Sequence, residues 1–100
     1  MGVIIAQTEN EILGLFSYTS RPQLRFCAES FEIDELVVAK NSRGKGIGKM
    51  LLDYAKDIAI KRKAVRMVLA TNRERLSYAR GFYSKYGFVE ANFAWMKFDL

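Results

Sequence analysis

The residues best suited to chemistry form a glycine-rich segment at 43–48, Arg-Gly-Lys-Gly-Ile-Gly, between a predicted strand and a predicted helix. Its glycines let the backbone approach a ligand closely. The first amides of the following helix have no intrahelical partners and lie at the positive end of the helix dipole. Arg43, Lys45 and Lys49 add positive charge. These properties predict a site for a diphosphate, with a plain structural turn as the alternative.

The segment differs from two common nucleotide-binding motifs. It lacks the Gly-Lys-Ser/Thr ending of a P-loop. It also lacks a third glycine at the spacing that the dinucleotide-binding fingerprint requires. The segment is therefore neither a P-loop nor a dinucleotide-binding fingerprint, and a plain structural turn stays open.

Composition excludes several classes of site. The 100 residues contain no histidine, which excludes His-based triads and His-ligated metals. The single cysteine, Cys27, excludes a disulfide within the chain and a Cys-rich zinc site, so we expect no metal. A lone thiol without a signal sequence is typical of a cytoplasmic protein. No apolar run is long enough to span a membrane, and the length predicts a single domain over 1–100.

Charge is concentrated in two neighbouring stretches. The net charge is +5, and residues 40–63 hold eight basic residues against two acidic ones. Just upstream, Glu29, Glu32, Asp34 and Glu35 form an acidic run that hints at a cationic ligand. A solvated surface of mixed charge is the alternative. Nucleic-acid binding is disfavoured, because Tyr54 is the only aromatic residue interleaved with the bases.

Apolar periodicity predicts the elements that must hold these residues in place. In chain order they are strands at 2–7, 12–18, 23–29 and 31–39, a helix at 46–60, a strand at 64–70, a helix at 74–86 and strands at 88–91 and 94–99. Pro22 is predicted to lie in a turn. Strand alternation would place Glu35 on the opposite face from Glu32, Asp34 and Leu36. The order predicts a mixed α/β (α+β) domain around one mostly antiparallel sheet with two main helices.

Two separated motifs in this order resemble the GCN5-related N-acetyltransferases, over roughly residues 3–99. Arg43, Gly46 and Gly48 match the family's Arg/Gln-x-x-Gly-x-Gly/Ala signature between a strand and a helix. Residues 79–88, Ala-Arg-Gly-Phe-Tyr-Ser-Lys-Tyr-Gly-Phe, resemble its Ala-x-x-Phe-Tyr-x-x-x-Gly-Phe segment. The flanking residues 35–38 and 50–52 resemble its fourth strand and the start of its long helix.

The resemblance implies acetyl-coenzyme A as cofactor and a role for each matching position. Strand residues 36–38 would pair with the pantetheine arm, and the turn amides would hold the pyrophosphate. The implied cofactor-binding residues are Leu36, Val37, Val38, Arg43, Gly44, Lys45, Gly46, Ile47, Gly48, Lys49, Asn72 and Tyr83. Tyr83 would also be the general acid for the departing thiolate. A core aromatic is the alternative for Tyr83, and a helix cap is the alternative for Asn72.

The general base is less well defined. Members of the resembled family with a base on the fourth strand place a glutamate four residues before the pairing stretch, and counting back from Leu36 gives Glu32 as the first choice. Glu35, also common in the family pattern, is the second. Each could instead be a solvated strand carboxylate, and a chain of water molecules without a single base is also open.

The resemblance implies a small N-acetyltransferase in which a primary amine of a small molecule or protein attacks acetyl-CoA directly in a ternary complex. A noncatalytic acyl-CoA-binding or regulatory module is the alternative.

The chain lacks the strand and two helices that usually open the family, so we expect a homodimer to cover the apolar hairpin and the aromatic C-terminal segment.

Overall fold

A four-stranded sheet organises the first part of the chain. The computed structural model describes residues 1–23, 28–72, 74–75, 81–91 and 96–100. The strands are β1 (Gly2–Gln7), β2 (Ile12–Gln23), β3 (Ala28–Val38) and β4 (Arg66–Leu69), in that order across the sheet. β1, β2 and β3 are antiparallel neighbours, and β4 is parallel to β3. A parallel neighbour needs a crossover, and helix α1 (Ile47–Lys61) supplies it.

The core lies between one face of the sheet and α1. Phe16, Phe31 and Ile33 contribute from the sheet, and the helix contributes the buried residues Leu51, Leu52, Ala55 and Ala59. Leu51, Ala55 and Ala59 recur at the i, i+4 and i+8 spacing that gives a helix one apolar stripe, and Leu52 lies beside it. Burying each large apolar side chain stabilises the fold by about 1.5–3 kcal/mol. The core therefore fixes α1 against β2 and β3, the strands that surround the predicted site.

The chain comprises two compact units, residues Met1–Ala70 and residues Thr71–Leu100. The second unit contains a short helix, α2 (Phe82–Tyr86), which begins after Gly81 and ends at Gly87. No helix in the described part of the chain is long and apolar enough to cross a membrane. The fold is the predicted mixed α+β class with a mostly antiparallel sheet and two main helices.

The predicted turn at Pro22 is wrong. β2 continues through Pro22, which pairs with Glu29 across the ladder. Pairing of β1 with β2 ends at Tyr18, so β2 is an edge strand at Pro22 and can accommodate a residue without an N–H. The predicted strands at 23–29 and 31–39 are accordingly replaced by the end of β2 and one long strand, β3. Residues 24–27, with Cys27, lie outside the described residues.

The C-terminal predictions are only partly met. Residues 74–75 form a turn rather than the predicted start of a helix, while the helix end at Tyr86 and the stop at Gly87 are confirmed. The described residues 88–91 and 96–99 are not in strands, contrary to the prediction. Residues 76–80 and 92–95, with Leu76, Phe93 and Trp95, lie outside the described residues.

Candidate active site

The glycine-rich segment forms an open turn between β3 and α1. Gly44 and Gly46 have φ angles of +79° and +81°, in the left-handed region that favours glycine. A Cβ added at either position would meet no heavy atom within 4 Å. Neither glycine is therefore needed to avoid a clash within the protein. They are needed for backbone conformation, and a side chain there would fill space that a ligand could use.

The start of α1 offers unpaired backbone donors next to this turn. Gly46 is the N-cap and provides no side-chain cap, and the first helical bond runs from the Met50 amide to the Gly46 carbonyl at 3.0 Å. The amides of Ile47, Gly48 and Lys49 precede that bond, so they have no acceptor within the helix. The first turn contains no acidic side chain to compete for them. This arrangement suits an anionic group such as a diphosphate.

The three basic side chains of the segment have different surroundings. The Arg43 Nε donates a hydrogen bond to the Val38 carbonyl at 3.2 Å, which ties the turn to the end of β3. The Lys49 Nζ lies 2.9 Å from the Asp53 carboxylate. Lys45 is exposed. Arg43 is thus partly an anchor of the turn, a role that the sequence alone did not indicate.

The second half of the site is the end of β3. Pairing of β3 with β4 stops at Ile33 and Leu69, whereas β3 continues to Val38. The Ala39 amide bonds to the Leu13 carbonyl of β2, and in an antiparallel ladder backbone groups alternate between the two edges. Leu36 and Val38 therefore direct their backbone groups away from β2, beyond the last residue paired with β4. The turn and this edge are the two places at which the resemblance put the cofactor, and binding of a cofactor by residues 36–49 stays a prediction.

A β-bulge precedes this edge and corrects the predicted alternation. Ser17 pairs with Glu35 and Tyr18 pairs with Ile33, so Asp34 is an extra residue in β3. Cross-strand partners share a face, and Ser17 and Thr19 lie on the same face of β2. Because Thr19 pairs with Glu32, the structure places Glu32 and Glu35 on the same face. The prediction of opposite faces was wrong because a bulge reverses the alternation beyond it.

The carboxylates near the bulge differ in their partners. Glu32 forms an ion pair with Arg21, whose Nε lies 2.5 Å from its carboxylate, and only 18% of the Glu32 side chain is exposed. Asp34 accepts a hydrogen bond from the Thr19 hydroxyl at 2.6 Å. Glu35 is exposed and has no such bond to another described residue. Of the two predicted bases, Glu35 is therefore the one whose carboxylate is available to a ligand.

The remaining acid of the predicted run, Glu29, lies elsewhere. It pairs with Pro22 in the ladder and faces Arg62, at the end of α1, at 3.7 Å. The acidic run is therefore divided between the two faces of the sheet. Arg21 and Thr19, which hold two of the other acids, were missed by sequence reasoning, because only the cross-strand register brings them there.

Tyr83 lies on α2, in the second unit, among other aromatic rings. Its ring makes edge-to-face contacts with Phe82 and Phe88, with centroids 5.0 and 6.0 Å away. Burial raises the pKa of the Tyr83 phenol above its usual value of 10.0, and the Arg75 charge opposes part of that rise. A phenol of this kind stays protonated at neutral pH, so it can donate a proton.

Asn72 bonds to residues that follow it in the chain, although residues 74–75 form a turn and not the start of the helix that the sequence expected Asn72 to cap. Its side-chain oxygen accepts a hydrogen bond from the Glu74 amide at 2.8 Å, and its carbonyl accepts one from the Arg75 amide at 3.1 Å. Both bonds join Asn72 to the described turn residues Glu74 and Arg75. This interaction occupies the Asn72 oxygen, and a cofactor role for its side chain stays a prediction.

Comparisons with known proteins agree with these features. The family model described as "Acetyltransferase (GNAT) family" matches residues 1–88. The aminoalkylphosphonate N-acetyltransferase of Salmonella typhimurium is 32% identical over 93 residues, which are 93% of this chain and 60% of that protein. An integron cassette protein from the mobile metagenome of V. cholerae superposes with a TM-score of 0.87 and 26% identity, covering 97% of this chain and 60% of that one. A transcriptional regulator from Bacillus halodurans C-125 gives 0.85 and 28%, covering 98% and 65%. The chain thus spans about three fifths of the length of these proteins.

Proposed function

Because the chain belongs to the acetyltransferase (GNAT) family, we propose that it transfers an acetyl group from acetyl-CoA to a primary amine. One observation carries this proposal. Four residues separate the open edge at Leu36 and Val38 from the glycine turn at 43–46, and the bond from Arg43 to Val38 ties the two together. A ligand with an extended amide-bearing arm and a diphosphate needs both features side by side.

The residues of the first unit fit coenzyme A. The pantetheine arm contains amide groups that can pair with the backbone of Leu36 and with the Val38 amide, much as an added strand would, while the Val38 carbonyl already accepts the Arg43 bond. The diphosphate would lie against the turn and the free amides of Ile47, Gly48 and Lys49, where a Cβ on Gly46 would otherwise intrude. Acetyl-CoA would supply an activated acetyl thioester at the end of that arm.

The chain's own residues would move two protons. A carboxylate of β3, with Glu35 as the available one, would take a proton from the acceptor ammonium. The freed amine would form a bond to the acetyl carbon as the carbon–sulfur bond breaks, and the nitrogen would release its second proton to solvent to become the amide. Tyr83 would give its phenolic proton to the departing sulfur. Solvent then returns the proton from the carboxylic acid to the phenolate, which restores both residues.

The identity of the general base can be tested by comparing Glu35 with Glu32, which lie on the same face of the sheet. Glu35→Gln keeps the shape and removes the proton acceptor, so we expect turnover to fall on the order of 10²-fold or more. Glu32→Gln should cost much less, since the Glu32 carboxylate is already engaged by Arg21. Glu29→Gln, on the other face, is the control. The measurement is the pH dependence of kcat/KM for each variant.

If Glu32→Gln loses more activity than Glu35→Gln, the general base is Glu32, the first choice from the sequence. If neither variant loses more than about threefold, a water chain without a single base becomes the better mechanism. Coenzyme A binding should be unchanged in all three variants, which confirms that each one is folded.

The acceptor class can be narrowed by a panel of amines. The Salmonella relative is named for aminoalkylphosphonates, so 2-aminoethylphosphonate is the first compound to test. A simple alkylamine and a polyamine test the cationic acceptor that the acidic residues suggest. Release of free thiol from acetyl-CoA, with and without each amine, measures the reaction. Amine-dependent release supports the proposal, and its absence with all amines contradicts it.

A noncatalytic, acyl-CoA-binding regulatory module is the second candidate. The similarity to a protein named as a transcriptional regulator favours it. Thermal melting with coenzyme A addresses binding alone: ligand at about 100 times its Kd should stabilise the fold by about 2.7 kcal/mol. Stabilisation without turnover would identify this second function. If coenzyme A does not stabilise the fold, both the acetyltransferase and the acyl-CoA-binding module are contradicted. The remaining candidate would then be nucleic-acid binding, which the sequence disfavours.

The homodimer stays a prediction. Val3, Ile5 and Ile12, in the first hairpin, expose 58, 48 and 54% of their surface, which makes this hairpin a candidate contact between copies. Sedimentation at micromolar concentration should show a species of twice 11.5 kDa. A fully active species at 11.5 kDa would contradict the dimer.

A cytoplasmic location likewise remains a proposal from the sequence.

A further inference from the structure

Gly14, in β2, lies where neighbouring atoms leave no room for a side chain. It pairs with Val38, the last residue of β3. A Cβ at Gly14 would lie 2.8 Å from the Val37 carbonyl oxygen, 3.1 Å from Leu51 Cδ1 and 3.3 Å from Val38 Cα. Gly14 is not among the residues with positive φ, so its conformation does not require glycine. Space alone requires it.

The three atoms around Gly14 belong to the two halves of the cofactor site. Val37 and Val38 form the end of the open strand edge. Leu51 lies in the first turns of α1, the helix whose N-terminal amides face the diphosphate turn. Leu51 is 2% exposed, so core packing limits its retreat. Any side chain at Gly14 would push the strand edge, the helix, or both.

We propose that Gly14 is a positioning residue that sets the spacing between the strand half and the turn half of the coenzyme A site. This inference rests on the proposed function. A ligand that binds both halves at once gains affinity only when their spacing matches its own length. In enzyme reactions a misplacement on the order of 1 Å can cost about 10²-fold in rate, and we expect binding at two linked places to be similarly sensitive to their spacing. A substitution at Gly14 should therefore weaken binding of the whole coenzyme more than binding of a fragment that contacts only one half of the site.

Binding of the coenzyme and of its fragments by the full chain distinguishes this role from a purely structural one. The probes are coenzyme A, pantetheine for the strand half and ADP for the turn half. Gly14→Ala should weaken coenzyme A by about 10- to 100-fold, while each fragment stays within about threefold of the wild type. The matched control is Gly2→Ala, another strand glycine, whose Cβ would meet the Tyr18 ring at 2.6 Å, away from both halves. This control should bind all three probes normally.

Two results would overturn the inference. One is a folded Gly14→Ala variant that binds coenzyme A within threefold of wild type. The other is a parallel loss for coenzyme A and both fragments, which indicates general damage to the fold. If the wild type binds no coenzyme A, the proposed function fails and the spacing role fails with it. If the wild type binds coenzyme A and Gly14→Ala binds it equally well, only the spacing role fails. The two failures are therefore distinguishable.

A second variant keeps the test valid if Gly14→Ala does not fold. Gly14→Ala combined with Leu51→Val keeps the core volume constant, because it adds one carbon and removes one. The contact with the Val37 carbonyl remains, so β3 must still move. The double variant should bind coenzyme A at least tenfold more weakly than Leu51→Val alone. Equal affinities would contradict the spacing role.

Discussion

Gly46→Val is expected to abolish coenzyme A binding while the fold is retained. At φ +81° a β-branched residue is strained, at a cost on the order of 1–3 kcal/mol, and relief of that strain would rotate the first amides of α1 away from the diphosphate. The new side chain would also occupy the open space beside the turn. Both effects act on the ligand and neither disturbs the core. Thermal melting and calorimetric titration with coenzyme A measure them together.

Two variants serve as controls for this prediction. Lys63→Val places the same kind of residue at φ 59°, just beyond the other end of α1, so it imposes comparable strain away from the turn. Its coenzyme A affinity should stay close to that of the wild type. Lys45→Ala removes one exposed charge and should weaken binding by only about two- to fivefold. Normal binding by Gly46→Val would show that the diphosphate site is wrongly assigned.

The glycine turn at 43–46 could be predicted from sequence because its determinants are local, while its binding of a diphosphate stays a proposal. Gly44 and Gly46 need particular backbone angles, and the helix that follows starts within one residue of the predicted position. These properties depend on neighbours in the chain. The same holds for the stop of α2 at Gly87.

The arrangement of the carboxylates could not be predicted, because it depends on cross-strand register. Asp34 is an ordinary strand residue in the sequence, and only the pairing of Ser17 with Glu35 identifies it as a bulge. The long β2 was missed for a related reason. In the sequence, Pro22 indicates a turn. Only the structure shows that the pairing of β1 with β2 ends before Pro22, so that β2 has an open edge there and can contain a proline. Alternation along one strand carries no information about its partner.

Gly14 shows a further limit of the same kind. In the sequence it is a glycine within an apolar strand, which weakens the strand and gives no sign of a purpose. Its importance comes from the Val37 carbonyl and Leu51, residues far along the chain. Packing of three elements at one point gives such a residue its role.

Tyr83→Phe is expected to lower turnover on the order of 10²-fold or more with little change in stability. The substitution keeps the ring contacts with Phe82 and Phe88 and removes only the proton that Tyr83 would donate. Tyr86→Phe, on the same helix, is the matched control and should stay within about threefold of wild type. Steady-state turnover at saturating amine, with coenzyme A affinity measured separately, distinguishes loss of chemistry from loss of binding.

The pH dependence gives the Tyr83 prediction a second readout. Because burial raises the pKa of Tyr83 above 10.0, the folded state holds the phenolic proton more tightly than the unfolded state. The resulting stabilisation is fully present below pH 10 and is lost as the pH rises through the raised pKa. Activity that depends on this proton should fall over the same alkaline range. Tyr83→Phe should lack this alkaline limb, while Tyr86→Phe retains it. Unchanged turnover and an unchanged limb in Tyr83→Phe would assign Tyr83 to aromatic packing alone, and the thiolate would then take its proton from solvent.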